Sequence, residues 1–174
     1  LESLPRTTTQ KIETHMKSTS FSRRRLLATG ALACAPTILP SRLFGENAPS
    51  KQITLGFIGM GLQGMQRNLG NFLTQKDAKV LAVCDVMKSR AEAAKKRVDA
   101  KSGNQDCVAY QDFREVLERQ DLDAIVISTP DHWHVPLSMA ALAAGKDVFC
   151  EKPTLTITEG RMLEQEVAKR NAVF

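Results

Sequence analysis

Residues 53–64 read Ile-Thr-Leu-Gly-Phe-Ile-Gly-Met-Gly-Leu-Gln-Gly. An apolar run (Ile53, Leu55, Phe57, Ile58) leads straight into a G-x-G-x-x-G turn. Gly59 permits the tight turn, Gly61 lets backbone approach a pyrophosphate, and Gly64 lets the next helix pack close on the strand. The helix start then offers free N–H groups and the positive end of a dipole to phosphates. Gly59, Met60, Gly61, Leu62, Gln63 and Gly64 are therefore a candidate phosphate-binding loop. Such a turn alone is a weak signal, because glycine-rich βα turns are common. Its context strengthens it. A helix is expected over residues 65–73, and a second strand, Lys79-Val-Leu-Ala-Val-Cys-Asp85, ends in an acid. An acid at about that distance accepts hydrogen bonds from an adenosine ribose.

The rest of the chain repeats the alternation. Helices are expected over residues 89–101, 112–119, 133–144 and 156–170. Strands are expected at Val108–Tyr110, Asp123–Thr129 and Lys146–Glu151, with residues 172–174 entering another. Thr156 and Glu159 match a capping box, and Gly145 ends the apolar helix before it. Strand–helix alternation of this kind specifies an α/β fold, a Rossmann-type doubly wound parallel sheet, over residues 51–174. Ligands in such a sheet bind beyond the carboxyl ends of the strands. Three segments converge there: the glycine loop, Ser128-Thr129-Pro130-Asp131-His132-Trp133-His134, and Glu151-Lys152-Pro153.

Charge narrows the function classes. The net charge is +5, but residues 1–50 hold 7 Lys/Arg against 3 Asp/Glu, and the remainder hold 17 against 16. The basic excess belongs to the leader, so the domain carries no nucleic-acid footprint. The four cysteines (Cys34, Cys84, Cys107, Cys150) form no C-x-x-C pair, which speaks against a structural zinc site. Cys84 and Cys150 fall at expected strand ends, where a cysteine packs as a small apolar residue. Three histidines leave no His-rich metal site.

The leader reads as an export signal over residues 16–48. Ser22-Arg23-Arg24-Arg25-Leu26-Leu27 resembles a twin-arginine motif, although Ala28 stands where that pattern prefers Lys. The apolar stretch from Leu26 to Ala35 falls short of the roughly 20 residues that span a bilayer, so no stable membrane anchor is expected. Cleavage after Ala31-Leu32-Ala33 and a later cut near residues 44–48 are both open. Met16 is a natural start, which makes residues 1–15 an expected over-extension of the reading frame. The expected location is periplasmic.

Thr-Pro-Asp-x-x-His after a buried strand, followed by Ala-Gly-Lys-Asp-Val-Phe-Cys-Glu-Lys-Pro, resembles the Gfo/Idh/MocA oxidoreductases over residues 51–174. The resemblance implies an enzyme in the full-length protein, an NAD(P)-dependent oxidoreductase of sugars or polyols with tightly bound cofactor. An NAD-dependent glycoside hydrolase of the same family and an inactive nucleotide-binding remnant are the alternatives. It implies that Thr129 and Pro130, beside Ser128, line the nicotinamide ribose and that His134 matches the family histidine near the cofactor. It implies that Lys152 faces the reacting centre, and that full-length relatives assemble as homo-oligomers with a second substrate domain. That domain is expected beyond Phe174, which leaves this chain as the nucleotide-binding part.

Residue chemistry gives an independent reading of Lys152. Held between a buried strand and a proline, it has little freedom to reach bulk solvent, and desolvation favours the neutral amine that suits proton exchange with a hydroxyl. The other readings are binding of cofactor phosphate or ribose and a side chain that snorkels outward. Glu151 is open as an ion-pair partner of Lys152 or as a ribose ligand, and Trp133 as a wall against nicotinamide or as core. Asp85 favours the free 2′-hydroxyl of NAD, while Lys88 and Arg90 nearby keep NADP open.

Overall fold

A computed structural model describes residues 52–152 and 154–174. The twin-arginine motif, both cleavage candidates, the expected over-extension and Pro153 lie outside the described residues.

Five strands form one all-parallel sheet: β1 (Ile53–Ile58), β2 (Ala78–Cys84), β3 (Val108–Tyr110), β4 (Ala124–Ile127) and β5 (Asp147–Cys150). Their spatial order is β3-β2-β1-β4-β5, so the chain starts in the middle and winds outward both ways. The reversal point lies between β1 and β4, where a doubly wound sheet opens its ligand crevice.

The inner strands are apolar on both faces, as a sheet covered on both sides requires. Phe57, Leu55, Val80, Val83 and Val126 pack with Met60, Leu69, Ala94 and Val98 on one side. Ile58, Leu81, Ile125 and Ile127 pack with Val116, Val135, Leu142, Val148 and Leu163 on the other. Phe57, Ile125 and Val126 have no exposed surface. At the end of the strands opposite the crevice, Asp123 Oδ2 accepts hydrogen bonds from both the amide and the hydroxyl of Thr54, each at 2.7 Å. That contact ties β1 to β4 at their amino ends.

The helices follow their sequence signals where those signals are local. The α1 helix (Leu69–Phe72) is short, and α2 runs Lys88–Ser102, stopped by left-handed Gly103. The α3 helix (Phe113–Leu117) is capped by Asp112, whose side chain accepts from the Arg114 amide. The α4 helix (His134–Ala143) follows a single 3-10 turn, Asp131–Trp133. The α5 helix (Ile157–Arg170) opens with the full Thr156–Glu159 capping box. At its end, Val173 accepts a hydrogen bond from the Val148 amide at 3.0 Å without forming a strand.

One element departs from expectation. The helix read as residues 65–73 begins as a π-helix over Gln63–Asn68 before tightening into α1. Widened turns of this kind are rare and gather at functional sites. Here the widening has a partner-driven cause, described below.

Gly64 fixes the first βα unit. A Cβ built there would lie 2.0 Å from the Gly59 carbonyl oxygen. Backbone meets backbone, so no side-chain shift relieves the clash. Gly64→Ala is expected to cost more than about 4 kcal/mol of folding stability, an exceptional loss for one methyl group. Urea unfolding followed by circular dichroism measures it, with exposed Gly103→Asn as the comparison that should change little.

Candidate active site and cofactor crevice

The ladder hydrogen bonds continue past the strand ends and carry three loops into one row. Gly59 donates to the Cys84 carbonyl at 2.8 Å, Ser128 to Ile58 at 2.9 Å, and Glu151 to Ile127 at 3.1 Å. The sheet itself therefore aligns the glycine loop, the segment after β4 and the segment after β5.

In the glycine loop, Gly59 has φ +94°, and a Cβ there would meet the Ser128 backbone at 2.7 Å. Only glycine satisfies both conditions. Around Gly61 the opposite holds, because nothing lies within 4 Å of where a Cβ would stand. That open space sits directly above the turn, where backbone amides approach a pyrophosphate. Leu62 and Gln63 are exposed, whereas Met60 is buried in the core.

Asp85 sits just past β2, 7% exposed. Its Oδ2 accepts from the Met60 amide and its Oδ1 from the Met87 amide, both at 2.8 Å. It thus holds the glycine loop against the loop after β2, a task not apparent from its position at a strand end. A carboxylate offers about four lone-pair positions, so two remain for ribose hydroxyls. Lys88 and Arg90 are exposed nearby.

The π-helix explains itself through Glu151. Gln63 Nε2 donates to Glu151 Oε1 at 2.8 Å, and Asn68 Nδ2 donates to the same oxygen at 2.7 Å. These two amides are five residues apart, and the i→i+5 geometry of a π turn stacks such residues on one face. Asn68, 7% exposed, also reaches Ser128 Oγ at 2.7 Å. The amides of Gln63 and then Asn68 hold the Glu151 carboxyl below its ordinary range. Glu151 is therefore not the ion-pair partner of Lys152. Asn68 was missed at the sequence level. Its signal is a polar residue on the buried side of a helix that otherwise presents Met65, Leu69 and Phe72.

Lys152 differs from its expected setting. Its side chain is 68% exposed, and the ammonium bonds both Asp131 carboxylate oxygens, at 2.9 and 3.1 Å. Flanking by a strand and a proline in the sequence therefore does not bury this side chain. Hydrogen bonds from Lys152 hold the Asp131 carboxyl below its usual range.

His134 takes the structural role common for a lone histidine in the first turn of a helix, not the cofactor-facing one that the resemblance implied. It is 2% exposed, with Nδ1 2.9 Å from the Lys152 carbonyl oxygen and Nε2 2.8 Å from that of Thr129. Both ring nitrogens are occupied by main chain, so none is free for a cofactor. Thr129 behaves oppositely: its Oγ1 is buried and has no hydrogen-bond partner, while Pro130 beside it is exposed. A buried hydroxyl without a partner is costly, and here it sits next to the crevice. Trp133 is 45% exposed, its ring 6.4 Å from that of Phe113, at the rim and outside the core.

Two of the described cysteines are core residues. Cys84 and Cys107 are buried, and desolvation pushes each thiol up to about 12. Among the described residues no group of three His, Cys, Asp or Glu side chains is placed to hold a metal ion, and no helix is long and apolar enough to cross a membrane.

A glycine cradle with open space at Gly61, an acid after β2 and an unpartnered hydroxyl after β4 suit a dinucleotide lying across the β1/β4 crevice. These features define a nucleotide-binding Rossmann domain. Residues 53–174 match the profile described as an oxidoreductase family with an NAD-binding Rossmann fold, GFO_IDH_MocA, and the chain belongs to that family. It is 35% identical over 118 residues to an inositol 2-dehydrogenase from Salmonella typhimurium, covering 64% of this chain and 32% of the relative. It is 30% identical over 122 residues to a glycosyl hydrolase family 109 protein from a Shewanella species, covering 67% of this chain and 26% of the relative. The fold superposes with TM-score 0.63 on a 3-ketoreductase from Actinomadura kijaniata crystallised with NADP, at 25% identity, covering 70% of this chain and 37% of that one. The chain thus spans about a third of the length of the inositol dehydrogenase it matches.

The Glu151 network makes a pH prediction. A carboxyl whose pKa is lowered on folding stabilises the fold above its unfolded value, and that stabilisation is lost as pH falls through the folded value. The stability gap between the unaltered chain and Glu151→Gln should therefore be full at neutral pH and close below the ordinary glutamate value of about 4.5. Urea titrations across pH 3 to 7 measure it, as roughly 1–3 kcal/mol at the plateau.

Proposed function

We propose that this chain is the cofactor-binding part of an NAD(P)-dependent oxidoreductase acting on a sugar or polyol. The observation that carries the reading is the pairing of open space at Gly61 with the unpartnered Thr129 hydroxyl across the same crevice. A dinucleotide fills the one and satisfies the other. The relatives named inositol 2-dehydrogenase support the substrate class.

Each residue then has a task. The amides of Gly61 and Leu62 and the following helix start receive the pyrophosphate. Asp85 keeps that loop in place through Met60 and offers its remaining lone pairs to the adenosine ribose. Ser128, Thr129 and Pro130 border the nicotinamide ribose, with Glu151 held alongside by Gln63 and Asn68. When bound, NAD(P) supplies a hydride acceptor at its nicotinamide ring. Lys152 takes the hydroxyl proton during oxidation and returns it during reduction, as a general acid–base. Asp131 balances the ammonium form and holds it through both carboxylate oxygens. NAD is the favoured cofactor because Asp85 repels a 2′-phosphate, and exposed Lys88 and Arg90 leave NADP as the second candidate.

The leader residues 22–27 support export by the twin-arginine route and a periplasmic site of action. Transport of a folded protein agrees with a cofactor loaded before export and kept bound. Homo-oligomeric assembly of the full-length protein belongs to the same proposal and rests on the family resemblance.

A second reading has its own support in the glycosyl hydrolase family 109 relative. There a sugar carbon is transiently oxidised, the glycosidic bond is eliminated, and the hydride returns, with no net change in cofactor.

In the full-length gene product, Lys152→Met should lower kcat by about 10²–10⁴-fold, the usual worth of a positioned acid–base group. Cofactor affinity should change little. Equal loss of cofactor binding would make Lys152 a ligand for the nucleotide. Net NADH formation from myo-inositol or another polyol supports the dehydrogenase. Release of an aglycone without NADH supports the hydrolase.

A further inference from the structure

Gly70 stands inside the short helix α1, between Leu69 and Asn71. Glycine is the poorest helix former after proline, so a glycine there calls for a neighbour that needs the space. The neighbour is Arg97, which reaches over from α2. A Cβ built at Gly70 would stand 3.1 Å from Arg97 Nη2 and 3.9 Å from its Cζ. Among the described residues, these are the atoms beyond the local helix backbone that it would meet within 4 Å.

The other arm of the guanidinium has an acceptor. Arg97 Nη1 donates to the Met65 carbonyl at 2.5 Å, within the π-helix Gln63–Asn68. Arg97 is exposed, but its stem rises from an anchored stretch of α2. Ala94 and Val98 are buried in the same cluster as Leu69, with Met65 and Phe72 packed against it. One guanidinium from a neighbouring helix therefore lies across the junction where the π turn tightens into α1.

That junction controls the direction of two side chains. In an α-helix, residues five apart point about 140° away from one another. The wider π turn brings Gln63 and Asn68 onto one face, where both amides reach Glu151 Oε1 and Asn68 also reaches Ser128 Oγ. Tightening of this turn to α geometry would carry one amide off the carboxylate. Glu151 holds the wide turn through its side chains, and Arg97 holds it through its main chain.

We infer that Arg97 is a positioning residue for the crevice: its guanidinium, admitted by Gly70, braces the π turn so that Gln63 and Asn68 stay together on Glu151. The consequence for cofactor rests on the reading of Glu151 as a border of the nicotinamide ribose. The brace itself does not.

Two substitutions in the whole 174-residue chain test it by different routes. Arg97→Met keeps an apolar stem and removes the donors. Gly70→Ala leaves the arginine in place, puts a methyl group against its guanidinium, and supplies the better helix former. The guanidinium ends a flexible side chain, so it can move aside without disturbing the core. In ¹H–¹⁵N spectra, the side-chain amide signals of Gln63 and Asn68 should shift in both variants, while the Val108 main-chain signal at the β3 edge stays in place. NAD affinity should fall several-fold in both. Lys101→Met, at an exposed site in the last turn of α2, should change neither reading. Unshifted Gln63 and Asn68 signals in either folded variant would overturn the brace. Shifted signals with full NAD affinity would keep the brace and overturn its positioning role. Should Arg97→Met unfold, Gly70→Ala decides alone. Unfolding of Gly70→Ala would also overturn the inference, because the glycine would then serve the fold and not the guanidinium. Failure of the cofactor reading would show separately, as an unaltered chain that binds no NAD, and the amide signals would still decide the brace.

Discussion

Everything at the crevice depends on one close approach of backbone to backbone. The helix after the glycine loop starts so near β1 that the α-carbon of Gly64 stands against the carbonyl of Gly59. Gly59 itself presses on the Ser128 backbone at the end of β4. With no side chains between them, three segments from two strands and a helix share the space of one residue. The loop has nowhere to relax, and so Gly61 is held out over open space.

That rigid turn is extended sideways by polar contacts. Asp85 ties the glycine loop to the segment after β2 through two backbone amides. Asn68 ties the helix after the loop to both β4 and β5, through Ser128 and Glu151. His134 ties the segment after β4 to the segment after β5. The network therefore crosses four of the five strand ends, and each link is partly or wholly buried, where an unmade bond is costly. Lys152 stands outside this frame. Its backbone is fixed by the network while its ammonium remains exposed beside Asp131.

Features governed by neighbours in sequence were legible. The strand before the glycines and the Thr156–Glu159 capping box rest on local spacing, and the structure has them. The parallel sheet followed from strand–helix alternation. What was hidden depends on partners far along the chain. The π turn exists because Gln63 and Asn68 reach a carboxylate more than 80 residues away. Lys152 is exposed and paired with Asp131, 21 residues earlier in the chain, a pairing that no run of neighbouring residues encodes. His134 was recognisable as a motif position, but its two carbonyl partners come from separate loops, so its task as a main-chain staple was not.

The central claim is that a dinucleotide lies across β1 and β4 above Gly61. The most direct measurement is an amide ¹H–¹⁵N spectrum of the chain titrated with NAD. The account predicts saturable shifts confined to Met60, Gly61, Leu62, Asp85, Thr129 and their immediate neighbours. Saturable shifts confined instead to residues far from the crevice, such as Val108 and Glu115 at the β3 edge, would contradict it, as would no shift at millimolar NAD in a folded chain.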